Sequence, residues 1–327
     1  MSNSKEFDLV IVGAGPIGLY AAYYAGFRGL KTALFDGLPQ VGGQVATMYP
    51  EKLIHDVAGF PAIKGSDFIS NLLEQSRRQE YELHLGELVV DLVAEGDGYV
   101  LQTDLGETYH TKAVVLAAGL GKCTPRSLPA LEGVHSSNVM HFISELSALD
   151  NKHVVIAGGG DSAVDWANAA AERAKSVTVI HRRARFRAHE ASVKEMYKKG
   201  VRVIAPGEVV AYHEEQGLEF LEITGANNES KEIISFDKFI VALGFHSDLG
   251  PIAEWKINID GFRIPVKEDM ETNMPCIYAV GDVSEYPGKV RLIAVGFGEA
   301  AIAVNHAAAA ISPEMSVLPG HSTNEVS

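Results

Sequence analysis

A short glycine-rich turn, set between an apolar run and a helical run, occurs twice in this chain, and the repetition limits its possible folds more than any other feature. In the first copy, Phe7-Asp8-Leu9-Val10-Ile11-Val12 reads as a buried parallel strand, because a nearly continuous apolar run bounded by glycine suits a sheet covered on both faces. Gly13-Ala14-Gly15-Pro16-Ile17-Gly18 follows, then a helical stretch over 19–29. In that order Gly13 permits a sharp turn, Gly15 lets a diphosphate approach the backbone, and Gly18 lets the helix pack on the strand. The free N–H groups and dipole of the helix start favour an anion there, which makes Gly13, Gly15, Pro16 and Gly18 candidate dinucleotide contacts. A second strand over 31–35 ends at Asp36, where an acid can hold ribose hydroxyls.

The pattern recurs about 145 residues later. His153-Val154-Val155-Ile156-Ala157 reads as a strand, Gly158-Gly159-Gly160-Asp161-Ser162-Ala163 as the turn, and 164–174 as the helix, with Ala163 in place of the third glycine. Gly158, Gly160, Asp161, Ser162 and Ala163 are the corresponding candidate contacts. The next strand, Ser176-Val177-Thr178-Val179-Ile180, ends in no acid but in His181-Arg182-Arg183-Ala184-Arg185-Phe186-Arg187. An acid at that place suits the bare ribose of NAD, whereas guanidinium forks pair with the 2′-phosphate of NADP. His181, Arg182, Arg183 and Arg187 therefore point to NADPH as the nicotinamide cofactor. Residues 182–202 hold eight Arg or Lys against two Glu, more than one phosphate can use, and the surplus could face an acidic partner or plain solvent.

With 327 residues the chain can build two cores, so the expected fold class is α/β with two Rossmann-like three-layer dinucleotide-binding domains. A net charge of −14 speaks against nucleic acid as a partner. No apolar run near the roughly 20 residues of a membrane span is read, so no membrane is expected. No secretory signal is visible in Met1-Ser2-Asn3-Ser4-Lys5-Glu6, and a cytoplasmic location is expected. The two cysteines, Cys123 and Cys276, are too far apart in sequence for a local dithiol. No metal centre is expected.

Several stretches together resemble the low-molecular-weight thioredoxin reductase-like flavoproteins nearly end to end. They are Gly13 to Gly18, Val41-Gly42-Gly43-Gln44, Val114 to Gly119, Gly158 to Ala163, His181 to Ala188, and Thr272 to Asp282. Thioredoxin reductases carry Cys-x-x-Cys just before the second nucleotide fold, in the region corresponding to 140–151, and this chain has no cysteine there. It resembles instead the thioredoxin reductase-like ferredoxin–NADP reductases, which lack the dithiol. Met48 to Lys52, His55 to Pro61, Gly296 to Ala300 and the tail Pro319-Gly320-His321-Ser322-Thr323 point the same way.

The resemblance implies FAD and NADP as cofactors, with Asp36 on the adenosine ribose of FAD, Gln44 and Tyr49 near the isoalloxazine, and Val89, in a strand over 87–92, holding the adenine through its backbone. It implies Asp282 on the ribityl and diphosphate side, and the helix over 293–310 aimed at the flavin's pyrimidine edge. His321 and Thr323 would reach an exposed flavin face and FAD from the partner subunit of a homodimer. At Cys123 the family often carries an aromatic residue near the FAD, so that contact is a departure. Cys276 reads as a buried thiol where a small apolar residue would serve equally. An FAD domain formed by 1–119 and 248–327 would enclose an NADP domain at 120–247, with 239–245 as the return crossing. The implied activity is electron transfer from NADPH through FAD to ferredoxin or flavodoxin. No residue is assigned as catalytic, since the cofactors carry the chemistry. A flavoprotein disulfide reductase and a non-catalytic NADPH sensor stay open as alternatives.

Overall fold

A computed structural model of the chain describes residues 5–143, 145–225 and 231–318. They fall into two compact units, one running to Lys122 and resuming at Ser247, the other spanning Cys123–His246.

The first unit opens with β1 (Lys5–Val12), α1 (Pro16–Phe27), β2 (Thr32–Asp36), α2 (Gly43–Met48) and α3 (Gly65–Ser76). Then come β3 (Glu82–Leu85), β4 (Val89–Glu95), β5 (Gly98–Thr103) and β6 (Thr108–Leu116). Their sheet order is β3-β2-β1-β6-β5-β4, with β1, β2, β3 and β6 parallel and β4–β6 an antiparallel meander. Leu9, Val10 and Ile11 of β1 are fully buried, because β1 lies centrally and carries packed residues on both faces.

The second unit has a parallel sheet of β7 (Val139–Met140), β8 (His153–Ala157), β9 (Ser176–Ile180) and β10 (Arg202–Ile204), with α4 (Asp161–Ala170) and α5 (Glu190–Lys198). An antiparallel sheet of β11 (Gly207–Glu215), β12 (Leu218–Gly225) and β13 (Lys231–Phe236) follows. Strand β14 (Lys238–Val241) then returns to the parallel sheet, whose order is β7-β14-β8-β9-β10. Phe239–Val241 is therefore interior strand and not a crossing. The segments that pass between the units, Lys122–Pro125 and Phe245–Asp248, pair with each other as a two-stranded ribbon.

Back in the first unit, β15 (Ile277–Ala279) joins the sheet beside β6, and α6 (Ile293–Ile311) closes the fold. Both glycine turns thus connect a central parallel strand to a helix. Helix α1 starts at Pro16 rather than at 19, since a missing N–H costs nothing in the first turn. Helix α4 spans Asp161–Ala170 and stops short of 174, its last turn loosening where the Arg173 carbonyl accepts the N–H of Asn151. Strand β4 begins at Val89, two residues later than expected.

Two expectations change. By length and composition α6 is apolar enough to cross a membrane, which the reading of the sequence missed; here Ala300, Ala303, Val304, Ala307 and Ala308 pack it into a core. Cys276 is only half-buried and its backbone is left-handed, with φ of 56°. A branched apolar residue would not serve equally there, because a Cβ clashes with the backbone in that region and a branched one clashes most. Cys276→Gly is expected to gain about 0.5–1 kcal/mol, the relieved strain of about 1–2 kcal/mol being offset in part by glycine's greater freedom when unfolded. Cys276→Val is expected to lose stability. Thermal denaturation of the two variants checks the pair, and a destabilised Cys276→Gly would refute the account.

Candidate dinucleotide sites

The first glycine turn is tightly determined at two of its three glycines. Gly13 has φ of 108°, and a Cβ there would lie 2.5 Å from the Ala117 carbonyl oxygen. A Cβ on Gly18 would lie 1.7 Å from the Gly13 carbonyl oxygen, so only glycine lets α1 sit this close to the strand. Gly15 is different. Its φ of −70° suits any residue, and among the described residues nothing beyond its chain neighbours and its own helix lies within 4 Å of where its Cβ would be. Neither backbone strain nor packing calls for glycine at this position, which fits a backbone left bare for an outside group such as a diphosphate.

Other elements converge on this turn. The Asp36 carboxylate accepts the N–H groups of Ala14 at 2.7 Å and Leu38 at 2.8 Å, tying the end of β2 to the turn. Burial raises its pKa and these two hydrogen bonds oppose the rise. Each oxygen keeps a second lone pair for a ribose hydroxyl. Glu87 N–H donates to the Asp36 carbonyl, so the segment leading into Val89 runs beside Asp36, while the Val89 side chain is buried. Gly42 N–H donates to the Ala14 carbonyl, and a Cβ on Gly43 would come within 3.2 Å of the Gly15 Cα. The amide of Gln44 reaches Gly119, at the end of the loop after β6.

Tyr49 follows α2, and its phenol is pushed up to about 12 by burial first, then by the carboxylates of Asp282 and Asp56. Tyr49 and Asp282, some 230 residues apart in sequence, therefore share one neighbourhood. Asp282 sits in the turn Gly281–Val283 directly after β15 and is partly buried. Close by, an open cavity of about 570 Å³ is lined by residues 55–61 and by Ala294 in the first turn of α6.

The second turn repeats the logic. Gly158 could carry no Cβ, since one would fall 2.4 Å from the Ala242 carbonyl oxygen. Gly160 has φ of −94° and, among the described residues, nothing within 4 Å of its missing Cβ, so it too stands open. Ala163 is fully buried against the turn, close enough that a Cβ on Gly158 would touch its own at 2.8 Å. Asp161 and Ser162 are exposed at the start of α4, and Asp161 Oδ1 accepts the His189 N–H at 3.0 Å. Arg187 N–H donates to the Gly159 carbonyl at 2.7 Å, which draws the arginine segment onto the glycine turn.

Gly159, which looks like filler in the sequence, is decisive. A Cβ on it would lie 2.3 Å from the His181 ring. His181 itself is buried, stacked on Phe186 at 5.2 Å, with its Nε2–H donating to the Arg185 carbonyl at 3.1 Å. Burial lowers its pKa, the hydrogen bond to the Arg185 carbonyl opposes this, and the charges of Arg183, Arg182 and Arg187 lower it further, so that on balance the neutral ring is favoured. Arg182, Arg183, Arg185 and Arg187 are exposed and make no ion pair among the described residues. The rest of the basic run is not uniform. Lys199 is held by Glu172 at 2.7 Å and Glu195 at 2.9 Å, and Arg202 by Glu232, whereas Lys194 and Lys198 remain exposed.

Cys123 lies in the ribbon strand Lys122–Pro125, half-buried, with burial pushing its thiol up. His321 and Thr323 lie outside the described residues. Among the described residues no cluster of His, Cys, Asp or Glu could hold a metal ion.

Comparison with known proteins places these features in context. Residues 7–307 match the family described as pyridine nucleotide-disulphide oxidoreductase. A protein of Salinispora tropica named ferredoxin–NADP reductase is 47% identical over 320 residues, covering 98% of this chain and 99% of its own. One from Shouchella clausii, named ferredoxin–NADP reductase 2, is 46% identical over 329 residues, covering 99% of each chain. Among solved structures, a thioredoxin reductase of T. acidophilum superposes with a TM-score of 0.81 at 24% identity, covering 94% of this chain and 99% of that one. A bacillithiol disulfide reductase of Staphylococcus aureus gives 0.74 at 17% identity, with 92% and 98% covered. At those identities the structures attest the fold and leave the substrate open.

Proposed function

The chain belongs to the pyridine nucleotide-disulphide oxidoreductase family, and from that premise we propose that it is a ferredoxin–NADP reductase, with FAD in the first unit and NADP(H) in the second. The observation that carries the cofactor assignment is the pair of open glycines at the two helix starts: Gly15 and Gly160 each have an ordinary φ and, among the described residues, no packing neighbour within 4 Å of the missing Cβ. The strand after the first ends in Asp36, and the strand after the second is followed by four arginines that make no ion pair among the described residues, which separates a free ribose from a phosphorylated one. The near full-length relatives named ferredoxin–NADP reductase support the activity.

Bound FAD supplies acceptance of a hydride from nicotinamide and release of electrons singly to an iron–sulfur protein. The chain's own residues do the holding. Gly15 and the start of α1 would receive the FAD diphosphate and Asp36 the adenosine ribose, with the backbone at Val89 beside it. Tyr49, kept protonated by its surroundings, would cover the ring system with an apolar face while its hydroxyl reaches a polar neighbour. Gln44 and Asp282 would flank it. In the second unit, Gly158, Gly160 and the start of α4 would take the NADP diphosphate, with Arg182, Arg183 and Arg187 on the 2′-phosphate and neutral His181 as their floor.

The same reading includes flavodoxin as a further acceptor, a homodimer and a cytoplasmic location. The missing Cys-x-x-Cys weighs against a disulfide reductase of the thioredoxin reductase kind, since the sequence holds only the separate Cys123 and Cys276. The test is cytochrome c reduction by the yellow protein with NADPH. The rate should require added ferredoxin and fall with salt, because small ferredoxins are generally acidic and basic patches steer such encounters. Charge reversal at the exposed Lys194 and Lys198 should slow it at low salt. Reduction of a disulfide substrate at the full rate without ferredoxin would reject the proposal.

A further inference from the structure

Beneath the Gly281–Asp282 turn lies a buried charged cluster that the proposed chemistry does not use. The side chains of Lys289 and Glu299 are 2% and 3% exposed and form an ion pair. Glu299 projects from α6 and Lys289 from the loop before it. Glu299 Oε2 accepts the Gly281 N–H at 2.7 Å and lies 3.3 Å from the Ser284 hydroxyl, while Oε1 accepts the Tyr286 hydroxyl at 2.7 Å and the Lys289 ammonium. The ammonium also donates to the Gly281 carbonyl at 3.0 Å and to Ser284 Oγ at 3.1 Å. An ammonium has three N–H donors and all three are engaged. The cluster is therefore closed on itself and offers nothing to a ligand. Its product is the position of one residue: Gly281 is gripped at its N–H by an anion and at its carbonyl by a cation.

Gly281 is also the place where three parts of the first unit meet. Its backbone is left-handed, with φ of 74°, and a Cβ on it would lie 3.2 Å from Ile17 Cγ1, in the first turn of α1. A Cβ on Gly296, near the start of α6, would lie 2.6 Å from Ile17 Cδ1. The next residue, Asp282, has its carbonyl held by Arg263. Burying an ion pair gains little stability over an apolar filling, since desolvation consumes most of the attraction. Directional charged hydrogen bonds do, however, specify a peptide's place and tilt in a way apolar contact cannot.

Resting on the assignment of FAD to the first unit, we infer that Lys289, Glu299 and Tyr286 are positioning residues for FAD: they clamp the Gly281 peptide and so hold Asp282 where the flavin site needs it. Tyr286 belongs to the clamp as a donor, its phenol held protonated by burial and by Glu299.

The test uses Lys289→Met, Glu299→Gln, the double variant and Tyr286→Phe in the full-length protein. FAD dissociation constants are measured by titrating apoprotein, with the flavin visible spectrum, apoprotein melting, and 2′,5′-ADP affinity as a control on the second unit. Each single charge removal strands its partner and should lower apoprotein melting. The double variant strands no charge, and it should melt near wild type and keep its 2′,5′-ADP affinity. It should nevertheless bind FAD about tenfold or more weakly with an altered spectrum, the scale of losing hydrogen bonds to a charged group. Tyr286→Phe, which creates no buried charge, should weaken FAD several-fold and covers the case in which the double variant fails to fold. Unchanged FAD affinity and spectrum in either folded variant overturns the clamp while leaving the FAD assignment standing. A wild-type chain that binds no FAD overturns both.

Discussion

Replacing Arg182 and Arg183 together by alanine is expected to lower the preference for NADPH over NADH, as the ratio of kcat/KM values, by about two to four orders of magnitude, since each charge-assisted hydrogen bond to a phosphate contributes about 1.5–3 kcal/mol. The two side chains are free to act on a ligand because neither makes an ion pair among the described residues. Their segment is not loose. The Arg187 N–H on the Gly159 carbonyl and the His181 ring packed on Gly159 hold it against the glycine turn. A guanidinium there is presented rather than searching, so little ordering entropy opposes phosphate binding. The loss should appear almost wholly in KM for NADPH and should shrink as salt rises, while kcat/KM for NADH stays near its original value. Steady-state kinetics with both nucleotides decide it. An unchanged ratio would place the 2′-phosphate elsewhere and remove the main ground for choosing NADP over NAD.

The second large effect separates two glycines three residues apart. Gly18→Ala forces a Cβ to within 1.7 Å of the Gly13 carbonyl oxygen, and because both partners are backbone, no rotamer change relieves it. A loss of about 3 kcal/mol or more is expected, beyond the usual range for overpacking by one methyl. Gly15→Ala should leave the apoprotein's circular dichroism and melting almost untouched, since its φ is ordinary and its surroundings empty. It should nonetheless weaken FAD about a hundredfold, because a methyl would keep a diphosphate from the N–H groups at the start of α1, and each lost bond to that anion costs about 1.5–3 kcal/mol. Apoprotein titrations with FAD on both variants provide the measurement. If Gly15→Ala binds FAD as wild type does, the open space at Gly15 is not a diphosphate site.

Much of the fold is legible in the sequence because its signals are local. A mostly apolar run followed by a glycine-rich turn announces a parallel strand entering a helix, and the tertiary fold keeps both instances. What escaped were relations between residues that look unremarkable alone. Gly159 sits between two motif glycines, and its necessity appears only when His181, just past the next strand, packs on it. Lys199 reads as one more charge in a basic run until Glu172 and Glu195 neutralise it. Cys276 reads as filler until its backbone proves left-handed. Helix α6 is apolar enough to suggest a membrane span, and its tertiary place in a core settles its role within the fold.

The sequence by itself determined the α/β class, the two glycine turns, and the contrast between an acid after one and arginines after the other. Each of these depends on residues within a few turns of chain, where periodicity and steric rules act without knowledge of the rest. Only the tertiary structure decided which glycines are bare for a ligand and which for a neighbouring backbone, because that depends on what occupies the space beyond the missing Cβ. It alone decided that Tyr49 stands near Asp282, and that Lys289 and Glu299 hold Gly281 from both sides. Those relations join side chains through hydrogen bonds a few ångströms long whose partners lie on different elements, and no local pattern records them.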